Sequence, residues 1–413
     1  MRVVVAGGGV IGLASALALA RDGHRVTVLE AARDSLGGTS VHNAGWVVPV
    51  MAAPVPAPDL VAAGLKMMVS RASPLYIRPT LNPRKVRLLY QLARHCTVEH
   101  FENGVAALAA LARSSISALD RWAEQGVSYE RSRHDGLIFT STDRDKARHI
   151  LEDVHRHHDA GAQLLDASEL RDLEPALVGD FAGGVFCERQ RCVAPETLVR
   201  SLVEACTAAG VVIRHGQTVD GMRASAGTWR AARLSDGTDV EGDAVVIATG
   251  ATTDRIVRHL GRSLPVFAGK GYGIDLPAPA VTPRRAIYLT ERKVAVSPTP
   301  GRIRLSGTME IGARAGTISV PRVAGIRDAG ATALGDWVRT TSPLRTFSGD
   351  RPMTPDGLPI IGFLPGYENV VVATGHQMLG ITLAAPTGAA IAEMLETGHT
   401  PEQLAPLSPQ RFA

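Results

Sequence analysis

Cysteine is scarce in this chain of 413 residues, with four in all. Cys96, Cys187, Cys192 and Cys206 form no CxxC pair and have no histidine at finger spacing, so neither zinc nor a disulfide framework is expected, and no metal site is predicted. A reducing compartment fits that usage. Aromatic residues make up only 4%. An excess of charge of one sign is also missing. The 44 Lys+Arg and 40 Asp+Glu leave a formal +4 and a sequence pI of about 9.0, with no block of like charge read along the chain. So even a balance argues against nucleic acid as a partner. No stretch reaches about 18 uninterrupted apolar residues, so no transmembrane helix is predicted. Internal repeats and low-complexity tracts are likewise not found. What is present is 45% hydrophobic and 20% charged residue, the composition of a core-forming chain. At about 100–200 residues per domain, the length predicts two or three domains, consecutive or interleaved.

The segment Met1 to Ala20 is apolar enough to imitate a signal peptide or an anchor. Gly7, Gly8, Gly9 and Gly12 interrupt it, and Arg21-Asp22-Gly23 closes it before it could cross a ~30 Å hydrocarbon layer. A soluble or peripheral protein is expected, in the cytoplasm. The segment reads instead as a strand over Arg2 to Ala6, a glycine turn, an Ala/Leu-rich helix over Val10 to Ala20, and a second strand Val26-Thr27-Val28-Leu29 ending at Glu30. Within the turn, Gly7-x-Gly9-x-x-Gly12 has the spacing of a dinucleotide fingerprint. Gly7 permits the tight turn, Gly9 lets backbone approach a pyrophosphate, and Gly12 brings helix against strand. The helix N-terminus, with Val10 and Ile11, then offers unpaired N–H groups to that anion. Glu30 suits a ribose with free hydroxyls and repels a 2′-phosphate, which excludes NADP more firmly than it separates NAD from FAD.

A second cluster of small residues, Gly37-Gly38-Thr39-Ser40-Val41-His42-Asn43-Ala44-Gly45, follows closely. Near the C-terminus stands Gly375-His376-Gln377-Met378-Leu379-Gly380. Between them lie Leu173-Glu174-Pro175 before Gly183-Gly184-Val185, the run Val245-Val246-Ile247-Ala248-Thr249-Gly250, Lys270-Gly271-Tyr272 after Pro265, and the stretch from Arg351-Pro352 to Pro359. In this order and spacing, over nearly the whole chain, the sequence resembles the FAD-dependent amino-acid oxidoreductases of the D-amino-acid oxidase family, and within it the bacterial D-amino-acid dehydrogenase branch. The resemblance implies an α/β, interleaved two-domain flavoprotein: a Rossmann-like FAD-binding domain, and a mixed β-sheet substrate domain over the flavin ring.

The residue patterns agree with that division. Val211 to Arg214 and Val245 to Ala248 read as buried strands, Pro195 to Ala209 as an amphipathic helix opened by proline, and Leu383 to Leu395 as a final helix. The FAD-binding domain is expected over 1–45, 153–260 and 349–413. The substrate domain is expected over 46–152 and 261–348, blocks that read as predominantly sheet. The FAD contacts implied are Gly7, Gly9, Val10, Ile11, Gly12, Glu30, Ser40, His42, Asn43, Ala44, Gly45, Val219, Thr249, Gly250, Gly375, Met378, Leu379, Gly380, Ile381 and Thr382.

For the chemistry, the resemblance implies that Arg351, at the family's Arg-Pro position, grips a substrate carboxylate through two parallel hydrogen bonds. The alternative is an arginine that pairs with Asp350 or Asp356 to shape its loop. Pro352, Pro355, Gly357 and Pro359 read as rigid turn chemistry that holds it. Tyr272 and Tyr288 are weighed as a second carboxylate contact, against simple packing. His376 is expected to line the ring and to meet substrate. His42 stands where dimethylglycine and sarcosine dehydrogenase relatives carry a flavin-linked histidine, the plainer reading being a histidine near the ring. The implied reaction is oxidative deamination of a small amino acid of D configuration: an α-hydrogen leaves as hydride to flavin N5, assisted by the neutral amine's lone pair. The imino acid hydrolyses to a 2-oxo acid and ammonia, and electrons pass on to oxygen, a quinone or another carrier.

Rival readings are a glycine/sarcosine-type or proline/hydroxyproline-type oxidoreductase and, from another class, a FAD-carrying subunit serving assembly and electron relay. Peripheral attachment to the inner membrane face or to a partner subunit is left open, because no basic amphipathic helix is read from the sequence.

Overall fold

The computed structural model describes residues 1–58, 60, 73–158, 161–314 and 316–413. The strand Arg2–Ala6 is apolar at every position from Val3 on, and its side chains go alternately to two cores. Val3 and Val5 face one layer, Val4 and Ala6 the other. Burial on both faces is what a central parallel strand requires. It pairs in parallel with Arg25–Glu30 on one side and Ala244–Ile247 on the other. Val212–His215 and Val370–Thr374 extend this sheet in parallel, and Ile360–Phe363 closes one edge antiparallel. The chain therefore leaves the first strand's C-terminal end at a topological switch point, where open α/β sheets bind their ligands. The helices Val10–Arg21 and Gly380–Thr397 cover one face in close contact. A Cβ at Gly388 would stand 2.5 Å from the Ala14 carbonyl, so only glycine permits that approach.

The larger sheet is mixed. Its order runs Arg345–Met353, Phe267–Pro277, Arg302–Ile311, Val294–Thr299, Ala286–Leu289, Leu137–Ser141, Gly183–Cys187, Ala162–Asp166, with Leu75–Ile77 also paired to Arg302–Ile311. The helix Val320–Leu334 packs on one face, over Tyr272, Ile274 and Leu276.

Three expectations about organisation need correction. Ala162–Asp166 and Gly183–Cys187 belong to the larger sheet, not to the dinucleotide domain expected from 153 onward. The strand Arg345–Met353 runs across the boundary expected at 349. In the described part of the block 46–152 helix outweighs strand: Pro83–Arg94, Val98–Ala112, Ser115–Glu124 and Arg144–His157. Two of these helices place Leu108, Leu111, Leu119 and Trp122 in the core around Val10–Arg21 and Gly380–Thr397. Their apolar spacing is helical, and their burial against the dinucleotide fold was invisible without a partner surface.

A buried ion cluster joins the two sheets. Arg304, only 2% exposed, donates to Asp275 Oδ1 (2.7 Å) and Oδ2 (3.0 Å), to Glu196 Oε1 (2.6 Å), and to the carbonyls of Val41 (3.1 Å) and Asn43 (2.9 Å). Arg302 and Arg345 complete it on the same two carboxylates. Glu196 stands in the first turn of Pro195–Ala208, a helix packed on Val10–Arg21. Burial raises its carboxyl pKa, but Arg304 and Arg302 outweigh this and hold it down at about 2. A carboxyl depressed in this way stabilises the fold above the unfolded value near 4.5, and that contribution is lost as pH falls through about 2. Removing one member of a buried pair leaves an uncompensated charge. Arg304→Met is therefore expected to lower unfolding free energy by about 3–5 kcal/mol, read by denaturant titration at neutral pH. An unchanged midpoint would mean the cluster holds nothing together.

Candidate active site

At the glycine turn, Gly7 has φ +106°, and a Cβ there would lie 2.5 Å from the Ala248 carbonyl. A Cβ at Gly12 would lie 1.9 Å from the Gly7 carbonyl, so helix and turn touch backbone to backbone. Glu30 ends its strand with Oε2 accepting from the Gly8 N–H (2.6 Å) and Oε1 from Ala32 N–H (2.8 Å). The helix has no acidic residue in its first turn and no side-chain cap on Gly9. Instead Ser40 Oγ accepts the Val10 N–H at 2.9 Å. A positive helix end with no carboxylate in its first turn, facing a glycine turn, suits a pyrophosphate. At the neighbouring strand end, Gly250 has φ +58° and open space where a side chain would stand, while its carbonyl accepts from Thr374 Oγ1 (3.0 Å).

The segment 39–45 is clamped between layers. A Cβ at Gly45 would meet the Val193 carbonyl at 2.0 Å, and one at Gly349 the His42 carbonyl at 2.9 Å. Asn43 uses its side chain within the loop, donating to Ser40 O (2.5 Å) and accepting from Gly45 N–H (2.7 Å). Its side chain thus holds the loop's shape. The His42 ring stacks on Phe347 at 5.6 Å and 23°. Burial, then Arg345 and Arg304, lower its pKa, so the ring is neutral.

Arg351 lies on Arg345–Met353, flat against the next strand. A Cβ at Gly271 would be 2.2 Å from its guanidinium, so this glycine makes the room. Nη1 donates to the Thr308 carbonyl at 2.7 Å. Among the described residues no carboxylate forms an ion pair with Arg351. Asp356 pairs with Arg411 (2.7 Å) and Asp350 faces Lys270 (3.9 Å), which removes both loop-shaping partners weighed above. Burial lowers the guanidinium to about 10, opposed by nearby Tyr288, and it stays protonated at neutral pH. Burial also pushes the Tyr288 phenol up to about 12. Tyr288 is held edge-on by Trp46 (6.1 Å) and Phe139 (6.0 Å).

Tyr272 is not part of this group. Successive strand residues face opposite ways, and its neighbour Gly271 faces Arg351. The Tyr272 hydroxyl therefore donates to Glu310 Oε2 at 2.6 Å on the far face, among residues that pack under Val320–Leu334. His376 is corrected as well. It is 2% exposed, its Nε2 lies 3.1 Å from Thr387 Oγ1 inside Gly380–Thr397, and burial lowers it to about 3. It is a neutral positioning residue for the turn. Thr382 likewise ties the Trp46 carbonyl (3.0 Å) and Val48 N–H (3.1 Å) to the helix. Val219, Leu379 and Ile381 are core residues, leaving backbone contact alone to them. Met378 is exposed. Ala44 packs on the core around Trp46.

Sequence reasoning missed several residues of this region. Arg304 carries a faint signal, a cation inside the apolar strand Ile303-Arg304-Leu305, and Gly271 a fainter one. Thr308 and Gln377 adopt φ +58° and +51°, a region costly for residues with side chains. The first presents its carbonyl to Arg351. Gln377 donates its N–H to Pro352 O (3.1 Å), next to Arg351. The Gln377 side-chain amide oxygen and the Thr308 hydroxyl are buried with no partner among the described residues. Orphaned polar atoms beside a guanidinium that lacks a carboxylate, together with a turn shaped for a pyrophosphate, fit a dinucleotide cofactor and a polar ligand.

The fold and these two halves define a dinucleotide-binding protein with a polar ligand site around Arg351. Residues 2–394 match the family described as FAD dependent oxidoreductase (DAO). The chain is 35% identical to a D-amino acid dehydrogenase of Methylobacterium nodulans, over 97% of this chain and 96% of that protein. Its fold is similar to an L-proline dehydrogenase of P. horikoshii (TM-score 0.79, 17% identity, 100% and 97% of the two chains). It is also similar to a glycine oxidase of Geobacillus kaustophilus (TM-score 0.74, 25% identity, 99% of each chain). The chain belongs to the DAO family of FAD-dependent oxidoreductases, and its cofactor is FAD.

Two outcomes are expected here. Gly271→Ala pushes the flexible end of Arg351 aside without disturbing the core, so kcat/KM falls by roughly tenfold or more, about 1.4 kcal/mol, while the melting temperature barely moves. His376→Gln leaves the pH profile of kcat/KM unshifted, because the ring is already neutral throughout, and lowers stability by about 1 kcal/mol through the altered Thr387 contact. A lost limb in that profile would restore His376 as an acid or base.

Proposed function

We propose that this FAD-dependent amino-acid oxidoreductase acts as a dehydrogenase on small D-amino acids, with Arg351 as the carboxylate clamp. The observation that carries the reading is a protonated guanidinium, next to Tyr288, that has no carboxylate partner among the described residues. A planar donor fork with one edge on a carbonyl retains its other edge for a substrate carboxylate. Tyr288, neutral at working pH, donates its hydroxyl to the same group. The aromatic wall of Trp46, Phe139 and Tyr288 excludes water and suits a small apolar side chain.

Bound FAD supplies the two-electron acceptor, held by the Gly7–Gly12 turn, Glu30 and the 39–45 segment. No titrating side chain is assigned as base: His376 faces Thr387, and Tyr288 remains protonated. The amine therefore binds neutral, and its lone pair drives out the α-hydrogen with its electron pair. Fixing the carboxylate fixes the α-carbon, and alignment of this kind contributes ~7–11 kcal/mol. The imino acid released takes up water to give a 2-oxo acid and ammonia. The similarity to D-amino acid dehydrogenases supports passage of the electrons to a quinone-class or other carrier.

Anaerobic mixing of the yellow holoenzyme with paired amino-acid isomers tests the reading. Flavin absorbance is expected to bleach with a small D-isomer and not with its mirror image. Bleaching by glycine, sarcosine or proline alone would move the protein to those substrates, and no bleaching by any amine would favour a relay subunit. Arg351→Met is expected to lose about 2–5 kcal/mol of transition-state stabilisation, roughly 30- to 5000-fold in kcat/KM, with FAD content retained. Because the neutral amine is the reacting form, kcat/KM rises with pH through the substrate's own ammonium ionisation.

A further inference from the structure

Between Leu60 and Val98 the chain carries seven Lys and Arg and none of its 40 Asp and Glu. That charge of +7 exceeds the +4 of the whole chain, so the remainder is net acidic at −3, contrary to the even distribution expected from the composition. The described part of this stretch holds the helix Pro83–Arg94, a basic amphipathic helix that the sequence reading did not find. Leu89 packs inward on the cluster formed by Met309, Ile311 and Met353, and Leu92 is buried. The outward side is not simply polar. Val86 and Tyr90, one turn apart, are 49% and 63% exposed, and Leu81 just before the helix is 98% exposed. Lys85, Arg87 and Arg94 flank them, exposed and without an ion pair among the described residues.

We propose that this face docks the protein on an anionic phospholipid bilayer, with Leu81, Val86 and Tyr90 entering the headgroup layer and Lys85, Arg87 and Arg94 meeting lipid phosphates. Exposed apolar side chains flanked by cations are the pattern of an interfacial helix. A second copy of the chain is a poor occupant, because it would set one cationic face against another. No described helix is long and apolar enough to cross a membrane, so attachment is to the surface. The inner side of the same helix packs, through Leu89, on the small core cluster that contains Met353, two residues from Arg351. Docking therefore places the substrate sheet's Arg351 end at the lipid surface, within reach of a lipid-dissolved quinone-class acceptor. This purpose rests on the dehydrogenase reading. The binding itself does not.

The experiment is flotation of the holoenzyme with vesicles of phosphatidylcholine alone or with about 30% phosphatidylglycerol, in about 0.1 M and about 0.5 M salt. Binding to the anionic vesicles, weakened in high salt, is expected. Lys85→Ala/Arg87→Ala/Arg94→Ala should bind roughly a hundredfold more weakly, each charge being worth about fivefold near such a surface. Leu81→Ser/Val86→Ser/Tyr90→Ser should also lose binding. Both variants should keep the parent's melting temperature and its turnover with a soluble dye. No flotation with phosphatidylglycerol, equal binding by either triple variant, or retention only on an acidic polypeptide such as polyglutamate would overturn the proposal. Flotation needs no substrate, so an enzyme inert toward D-amino acids can still bind vesicles, and an active one can fail to.

Discussion

Arg304 is the tie on which the site depends. Its five N–H groups are all used, on two carboxylates from different layers and on two carbonyls of the 39–45 segment. A buried guanidinium is tolerable only when each donor is met, and meeting each donor forces those three pieces of chain into one arrangement. The segment that follows the dinucleotide turn is thereby fixed to the sheet that carries Arg351 and Tyr288. Phe347 adds a flat surface on which Arg304, Arg345 and His42 all rest.

Burial then sets protonation. The groups near Arg351 are driven toward their neutral forms: His376 to about 3 and Tyr288 to about 12. Arg351 alone keeps its charge, since even at about 10 it stays protonated at neutral pH. A single fixed cation in a desolvated, aromatic-walled region attracts one anion strongly and leaves proton chemistry to the substrate's own amine. The second arginine system, Arg78 and Arg322 on Glu310 with the Tyr272 hydroxyl, lies behind the sheet, and Arg322 also donates to the Ser73 carbonyl. It braces the strand rather than the ligand.

Local patterns were legible where they report on local physics. The glycine turn, its helix, and Glu30 at the second strand's end were readable because close backbone approach demands glycine at fixed spacing. The helices Pro195–Ala208 and Gly380–Thr397 fell within a few residues of their expected bounds. Layer membership was not legible. Ala162–Asp166 and Gly183–Cys187 look alike whichever sheet they join, and Val98–Ala112 shows an apolar face without saying what it covers. Side-chain direction was illegible for the same reason, and it separated Tyr272 from Tyr288 and turned His376 toward Thr387.

By itself the sequence determined a dinucleotide-binding βαβ unit, the family's order of small-residue turns, and an arginine ahead of a proline-stiffened loop, because each is written in contiguous residues whose backbone demands are local. Only the tertiary structure decided which tyrosine shares a face with Arg351, which histidine is sealed away, and how Arg304 joins the halves. Those facts depend on strand facing and on partners far apart along the chain, and a linear pattern carries no record of which distant group will complete a buried charge.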